Sequence, residues 1–192
     1  MIVERGRRTT ARMPDLYLLN PESNMAISVY DQSVPVLAHG LRAMSTWLDK
    51  ARTHAEQAGY DANILCAARL FPDMLALSRQ VQIATDMSKG GASRLAGVEV
   101  PKWEDTETTL DEIQARISKA LDYLAAFAAA QFDGAESRAV EITTPKRSYQ
   151  FNGKDYLVQW LLPNFYFHLT TVYNLLRHNG VPLGKMDFLA VD

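Results

Sequence analysis

A chain of 192 residues, 47% hydrophobic and 22% charged, has the composition of one globular domain long enough to bury a sizeable core. Its formal net charge of -2 argues against a dedicated nucleic-acid binder, which carries a basic surplus or stripe. The single cysteine, Cys66, excludes an intrachain disulfide framework and points to a reducing, cytoplasmic setting, and no apolar run of about eighteen residues is present to span a membrane.

Residues 1–24 carry Arg5, Arg7, Arg8 and Arg12 but lack the apolar run of a secretory signal. They are expected to form a disordered or poorly packed extension, with the helical domain occupying residues 25–192. The first helix is expected over Ile27 to Gln57, where Leu37, Leu41, Met44, Leu48 and Ala51 recur at spacings of three and four. Ser33-Val34-Pro35 marks either a restart, with Ser33 capping and Pro35 in the first turn, or a kink in a longer helix. Gly59-Tyr60-Asp61 ends the pattern.

Ile64 to Leu70 is a short apolar passage that contains Cys66, read as an inert buried thiol. Pro72 suits the first turn of a second helix reaching about Leu95, with Met74, Leu77, Val81, Ala84 and Met87 as its apolar positions. Gly97 to Thr108 reads as a loop. Thr109-Leu110-Asp111-Glu112 has the Thr-x-x-Glu form of a capping box. The third helix then turns Leu110, Ile113, Ile117, Leu121, Leu124 and Phe127 inward and is expected to end near Phe132-Asp133-Gly134.

Val140 to Thr143 and Tyr149 to Phe151 alternate apolar and polar, which predicts two short strands that must lie on the helices to be stable. The fourth helix is expected from Lys154 to His178, kinked at Pro163 and stopped at Asn179-Gly180. In the tail, Phe188-Leu189 is expected to dock on the helices.

The candidate site comes from polar residues on apolar faces. Asn164, His168, Thr171 and Leu175 follow at helical spacing, which sets His168 beside the stripe Phe165, Leu169, Val172, Leu176. Asp73, Gln80 and Met87 are spaced by seven on the second helix. Two readings stand: a buried network that fixes helix register, or the lining of a small-molecule pocket formed by Asp73, Gln80, Asn164 and His168. Tyr166 and Tyr173 would edge the same cavity. His168 is the natural general acid or base, because its intrinsic pKa lies near neutrality. Lys89, Arg94 and Lys185 read as an anion contact or a solvated face.

Two segments are distinctive. One runs Arg69-Leu70-Phe71-Pro72-Asp73-Met74, through Arg79-Gln80-Val81-Gln82 and Asp86, to Arg94-Leu95-Ala96-Gly97. The other is Pro163-Asn164-Phe165-Tyr166-Phe167-His168, followed by Leu175-Leu176-Arg177-His178-Asn179-Gly180-Val181 and Gly184-Lys185. Together they resemble the domain of unknown function 1993 family, within the DinB/YfiT-like group regarded as metalloenzymes. The resemblance covers about Met25 to Leu189. It implies an all-α, up-and-down four-helix bundle with a short β-hairpin or extended segment before the last helix, and it makes a homodimer an expected partner state.

Relatives in that wider group hold a divalent metal with three histidines: one from the second helix and two, four residues apart, from the last. Here His168 matches one of the latter, Asn164 stands four residues before it, and Arg79 or Gln80 lies where the second-helix histidine would be. One ligand of three survives, with His39 as the other imidazole to consider. Neutral amides are poor ligands for zinc or nickel, so tight metal binding is not expected. The leading expectation is a small-molecule-binding bundle. The alternatives are a divalent-metal, thiol-transferase-like enzyme using His168 with His39 or Asp73, and a non-catalytic dimeric interaction protein.

Overall fold

The computed structural model describes residues 27–191, so the expected extension lies outside the described residues. Helix α1 spans Val34–Ala58. Residues before it form turns, and Pro35 sits in the first turn of a fresh helix, which settles the restart against the kink. Ser33 does not cap it. Its hydroxyl donates to the Val29 carbonyl at 2.6 Å and accepts no helix amide. Leu37, Leu41, Met44, Leu48 and Ala51 are all fully buried. The helix stops at Gly59, whose φ of 76° is left-handed and suits a residue without a side chain.

A 3-10 turn, Ala62–Ala67, carries the buried Cys66. Helix α2 spans Leu77–Ala96, beginning five residues after the expected start at Pro72. The Met74 N–H closes a turn on the Phe71 carbonyl, and the Leu77 N–H donates to the Ala68 carbonyl at 3.0 Å, so this segment folds back on itself before the helix begins. Asp73 therefore lies in an exposed turn, not on α2.

Helix α3 spans Leu110–Ala125 behind the expected capping box: the Glu112 N–H donates to Thr109 Oγ1 at 3.2 Å and the Thr109 N–H to Glu112 Oε2 at 3.0 Å. It ends seven residues before the expected Phe132. Tertiary packing overrides the helix propensity of the alanine-rich stretch. Phe127 and Phe132 stack edge-on at 5.9 Å, with Tyr30 a further 5.3 Å from Phe132, and the chain turns to make that cluster.

Strands β1, Ala139–Thr143, and β2, Ser148–Asn152, pair antiparallel with Val140 opposite Phe151 and Ile142 opposite Tyr149. Tyr149 and Phe151 lie against Trp160, at 4.8 and 5.9 Å between ring centres, which holds this small hairpin to the helices. The last helical run is α4, Gly153–Asp155, then a π-helical stretch, Tyr156–Leu161, then α5, Leu162–His178. Asn152 caps it by accepting the Asp155 N–H at 2.8 Å. The π stretch is the form that the disturbance at Pro163 takes. Proline has no N–H for the carbonyl four residues back and its ring crowds that carbonyl, so the preceding turn widens. The run ends at Asn179 and Gly180, the latter at φ 91°.

Helix α6, Lys185–Leu189, brings the tail back to α1. Phe188 stacks on Trp47 and meets Tyr173 edge-on, each at 5.6 Å, whereas Leu189 stays exposed. Helices α1 and α2 each pack on both α3 and α5. The result is an all-α helix bundle with one hairpin. No helix among the described residues is long and apolar enough to cross a membrane.

Candidate functional site

The seam between α2 and α5 holds one polar pair. Gln80 is 2% exposed on α2. His168 is half-buried on α5, next to the buried stripe Phe165, Leu169, Val172 and Leu176. The two meet at 2.7 Å between His168 Nδ1 and Gln80 Oε1. The Gln80 amide nitrogen donates to the Leu75 carbonyl at 3.2 Å. That contact turns the amide oxygen toward the imidazole, so Nδ1 must carry the proton and donate. Nε2 is then the unprotonated nitrogen. It has no hydrogen-bond partner among the described residues and is not shut away from solvent. Burial lowers the His168 pKa below its ordinary 6.5, which favours the neutral ring. The Phe167 ring stands edge-on to the imidazole at 5.2 Å.

The other expected site residues make no hydrogen bond to this pair. Asn164 donates its amide to the Trp160 carbonyl at 2.6 Å, spending its donor on the helix itself beside the π stretch. Asp73 is in the exposed turn before α2. Tyr173 packs on Trp47 and Phe188, toward α1. Tyr166 is 41% exposed, and the buried part of its surroundings raises its phenol pKa. On α5 the two tyrosines stand well around the helix from His168, so they do not edge its surroundings. Five surface depressions, from about 330 to about 780 Å³, are lined by other residues than His168 and Gln80. Of the four residues expected to line a pocket, His168 and Gln80 are the two that bond directly, with one imidazole nitrogen open.

A family model described as domain of unknown function (DUF1993) matches residues 29–189. The chain belongs to that family. It is similar to a solved DinB family member protein from Shewanella denitrificans, at 39% identity and a TM-score of 0.79, over 85% of this chain and 93% of that one. A search of the curated proteins finds no match.

The DinB likeness raises the question of a divalent metal, and the donor set among the described residues does not fit one. Among the described residues no three histidine, cysteine, aspartate or glutamate side chains are placed to hold a metal ion together. His39 is exposed on α1 and donates Nε2–H to the Leu189 carbonyl at 2.7 Å, in the groove by the C-terminal helix. The one thiol, Cys66, is pushed up to about 11 by burial, then by Asp61 and Glu112, so it offers little thiolate.

This DUF1993 fold also holds a buried polar cluster of which sequence reading singled out only Lys89, and that residue is neither free nor solvated. Arg116 of α3 is 3% exposed. Its Nε donates to Thr85 Oγ1 at 2.8 Å, and its two terminal nitrogens reach Asp86 at 3.0 Å, Asp105 at 2.8 Å, Glu107 at 2.9 Å and the Glu104 carbonyl at 2.8 Å. Lys89, 5% exposed, pairs with Asp86 at 2.8 Å. Arg79 pairs with Asp105. Burial opposes ionisation of Asp105 and Glu107, but hydrogen bonds and charge from Arg116, with Arg79 on Asp105, hold both below their ordinary values. Trp103 lies 4.4 Å from Lys89 Nζ and 4.5 Å from Lys119 Nζ. The available signal was the polar stripe Gln82, Thr85, Asp86, Lys89, Ser93 along α2, spaced by three and four. Its partner Arg116 stood inside an apolar pattern and had no sequence neighbour to mark it.

Proposed function

We propose that this protein binds a small molecule at the α2–α5 seam, with His168 Nε2 as the polar contact and, where chemistry follows, as its general base. The observation that carries this reading is the chain His168 Nδ1–H to Gln80 Oε1 and Gln80 amide to Leu75 carbonyl. An imidazole oriented through one nitrogen, and kept neutral by burial, presents the lone pair of the other in a fixed direction. A divalent-metal, thiol-transferase-like enzyme is the less supported reading, because among the described residues no group of three histidine, cysteine, aspartate or glutamate side chains is placed to hold an ion.

The test is a nitrogen-15 spectrum of the histidine rings during titration with a library of small polar ligands. The reading expects ligands that shift the His168 Nε2 resonance and lose affinity in His168→Ala. If every ligand found binds His168→Ala as tightly as the parent chain, the reading fails. A second reading, self-association without catalysis, is favoured by Phe71 and Phe167, which are 63% and 59% exposed. Mass in solution decides it: a dimer dissociated by Phe167→Ser supports it, and a monomer at high concentration removes it.

A further inference from the structure

The connection between α2 and α3, residues 97–109, lies as a strap over a polar groove. Among the described residues, positions 99–107 make no backbone-to-backbone hydrogen bond. Side chains hold the strap instead. Asp105 meets Arg79 and Arg116; Glu107 meets Arg116 at 2.9 Å and receives the Gln82 amide at 2.9 Å; Trp103 sits against Lys89 and Lys119. Between strap and α3 there is a cavity of about 570 Å³, open to solvent.

With the strap set aside, the floor is cationic. Arg79, Lys89, Arg116 and Lys119 face it from α2 and α3 against the two carboxylates of Asp86 and Glu112. Two of these cations are more than nine-tenths buried: Arg116 at 3% and Lys89 at 5% exposure. A guanidinium with five donors in a fixed fork is suited to carboxylate or phosphate oxygens. Asp105 and Glu107 supply such oxygens from within the chain.

We propose that the groove on α2 and α3 is an anion-binding site and that Asp105 and Glu107 of the strap are its built-in occupants, displaced by a small dianion bearing carboxylate or phosphate groups. The strap acts as an internal competitor. Its closure lowers the apparent affinity for an outside anion by the fraction of molecules that are open. Binding at the groove is independent of the His168 seam, which lies on the α5 side of α2.

The full-length chain and its Asp105→Asn/Glu107→Gln variant are titrated with succinate and with inorganic phosphate by calorimetry, at matched ionic strength against chloride. The variant is expected to bind at least one of the two roughly tenfold or more tighter than the parent, since the competing carboxylates are gone. Addition of Arg79→Gln is expected to reverse that gain. Succinate winning over phosphate identifies a dicarboxylate as the ligand class; the opposite order identifies a phosphate. A folded variant that binds neither anion better than the parent overturns the proposal and leaves the cluster as a structural rivet. Should the variant not fold, the indole N–H resonance of Trp103 in the parent decides, since that ring is held by Lys89 and Lys119: a shift produced by succinate or phosphate over chloride supports displacement, and an unchanged resonance overturns it.

Discussion

His168 and Gln80, 88 positions apart in the chain, meet at 2.7 Å across the α2–α5 seam, and the Leu75 carbonyl fixes which way the amide faces. Gln80→Leu removes the acceptor and leaves a half-buried Nδ1–H without a partner. The expected loss is about 1–3 kcal/mol of stability, read from denaturant midpoints at neutral pH. An unchanged midpoint would mean that the contact adds nothing to the fold.

The same ring sets a pH dependence. Burial lowers the folded pKa of His168 below the 6.5 of a free histidine. Between those two values the unfolded chain binds more protons, so stability rises with pH. This contribution is fully present above 6.5 and is lost as pH falls through the folded value. His168→Phe is expected to flatten that part of the stability curve. Gln80→Glu places a carboxylate beside Nδ1 and is expected to raise the His168 pKa, visible as a later titration of its ring carbons by NMR.

Arg116 is the most exacting position in the fold. Arg116→Met leaves Asp86, Asp105 and Glu107 facing one another, and breaking a buried ion cluster from one side costs about 3–5 kcal/mol. Part of that is screened here, because Asp86 and Asp105 are each about a third exposed. The parent chain is also expected to lose stability in acid. The folded pKa values of Asp105 and Glu107 lie below 3.8 and 4.5, so their contribution is present above those figures and vanishes as pH drops through the lower folded values. An acid melt that is identical in Arg116→Met and the parent would contradict this.

Gly153 opens the last helical run beneath the turn at Ala135. A Cβ there would stand 1.8 Å from the Ala135 carbonyl oxygen, which is backbone and cannot swing aside. Gly153→Ala is expected to cost about 3 kcal/mol or more, measured by thermal melting. Gly134→Ala is the matched comparison, since a methyl group added there meets nothing within 4 Å and only the φ of 69° is strained.

Cys66 should be slow toward thiol reagents. It is 4% exposed and its pKa is pushed up to about 11. Labelling by a disulfide reagent near neutral pH is expected to track global unfolding, with rapid reaction only in denaturant.

Local chemistry was readable wherever it was self-contained. The Thr109–Glu112 box, the end of α1 at Gly59, the left-handed stop at Gly180, the hairpin and the α1 stripe rest on patterns within a few residues, and each was legible. The errors fall where distant partners decide. The start of α2 depends on Leu77 reaching back to Ala68, and the end of α3 on Phe127 and Phe132 turning to meet each other and Tyr30. The seam was half legible. Helical spacing put His168 and Gln80 on inward faces, but it extended α2 back to Asp73 and gave no hint that Asn164 would bond to its own helix. The Arg116 cluster was the least legible, because charge compensation across three elements leaves no pattern in any one of them.

The wide turn at Tyr156–Leu161 has a consequence for how this chain tolerates insertions and deletions. A π-type turn accommodates one residue more than an ordinary turn without lengthening the axis much. Loss of one residue there would let the helix rewind to regular geometry, keeping Leu161, Phe165 and His168 in phase with one another. The flanks on either side of the stretch would keep their mutual orientation, whereas the same loss from the regular turns of α5 would rotate everything before it by about 100°. The wide turn is therefore a phase buffer within one helix, and a one-residue length change is better tolerated there than in the turns that carry His168.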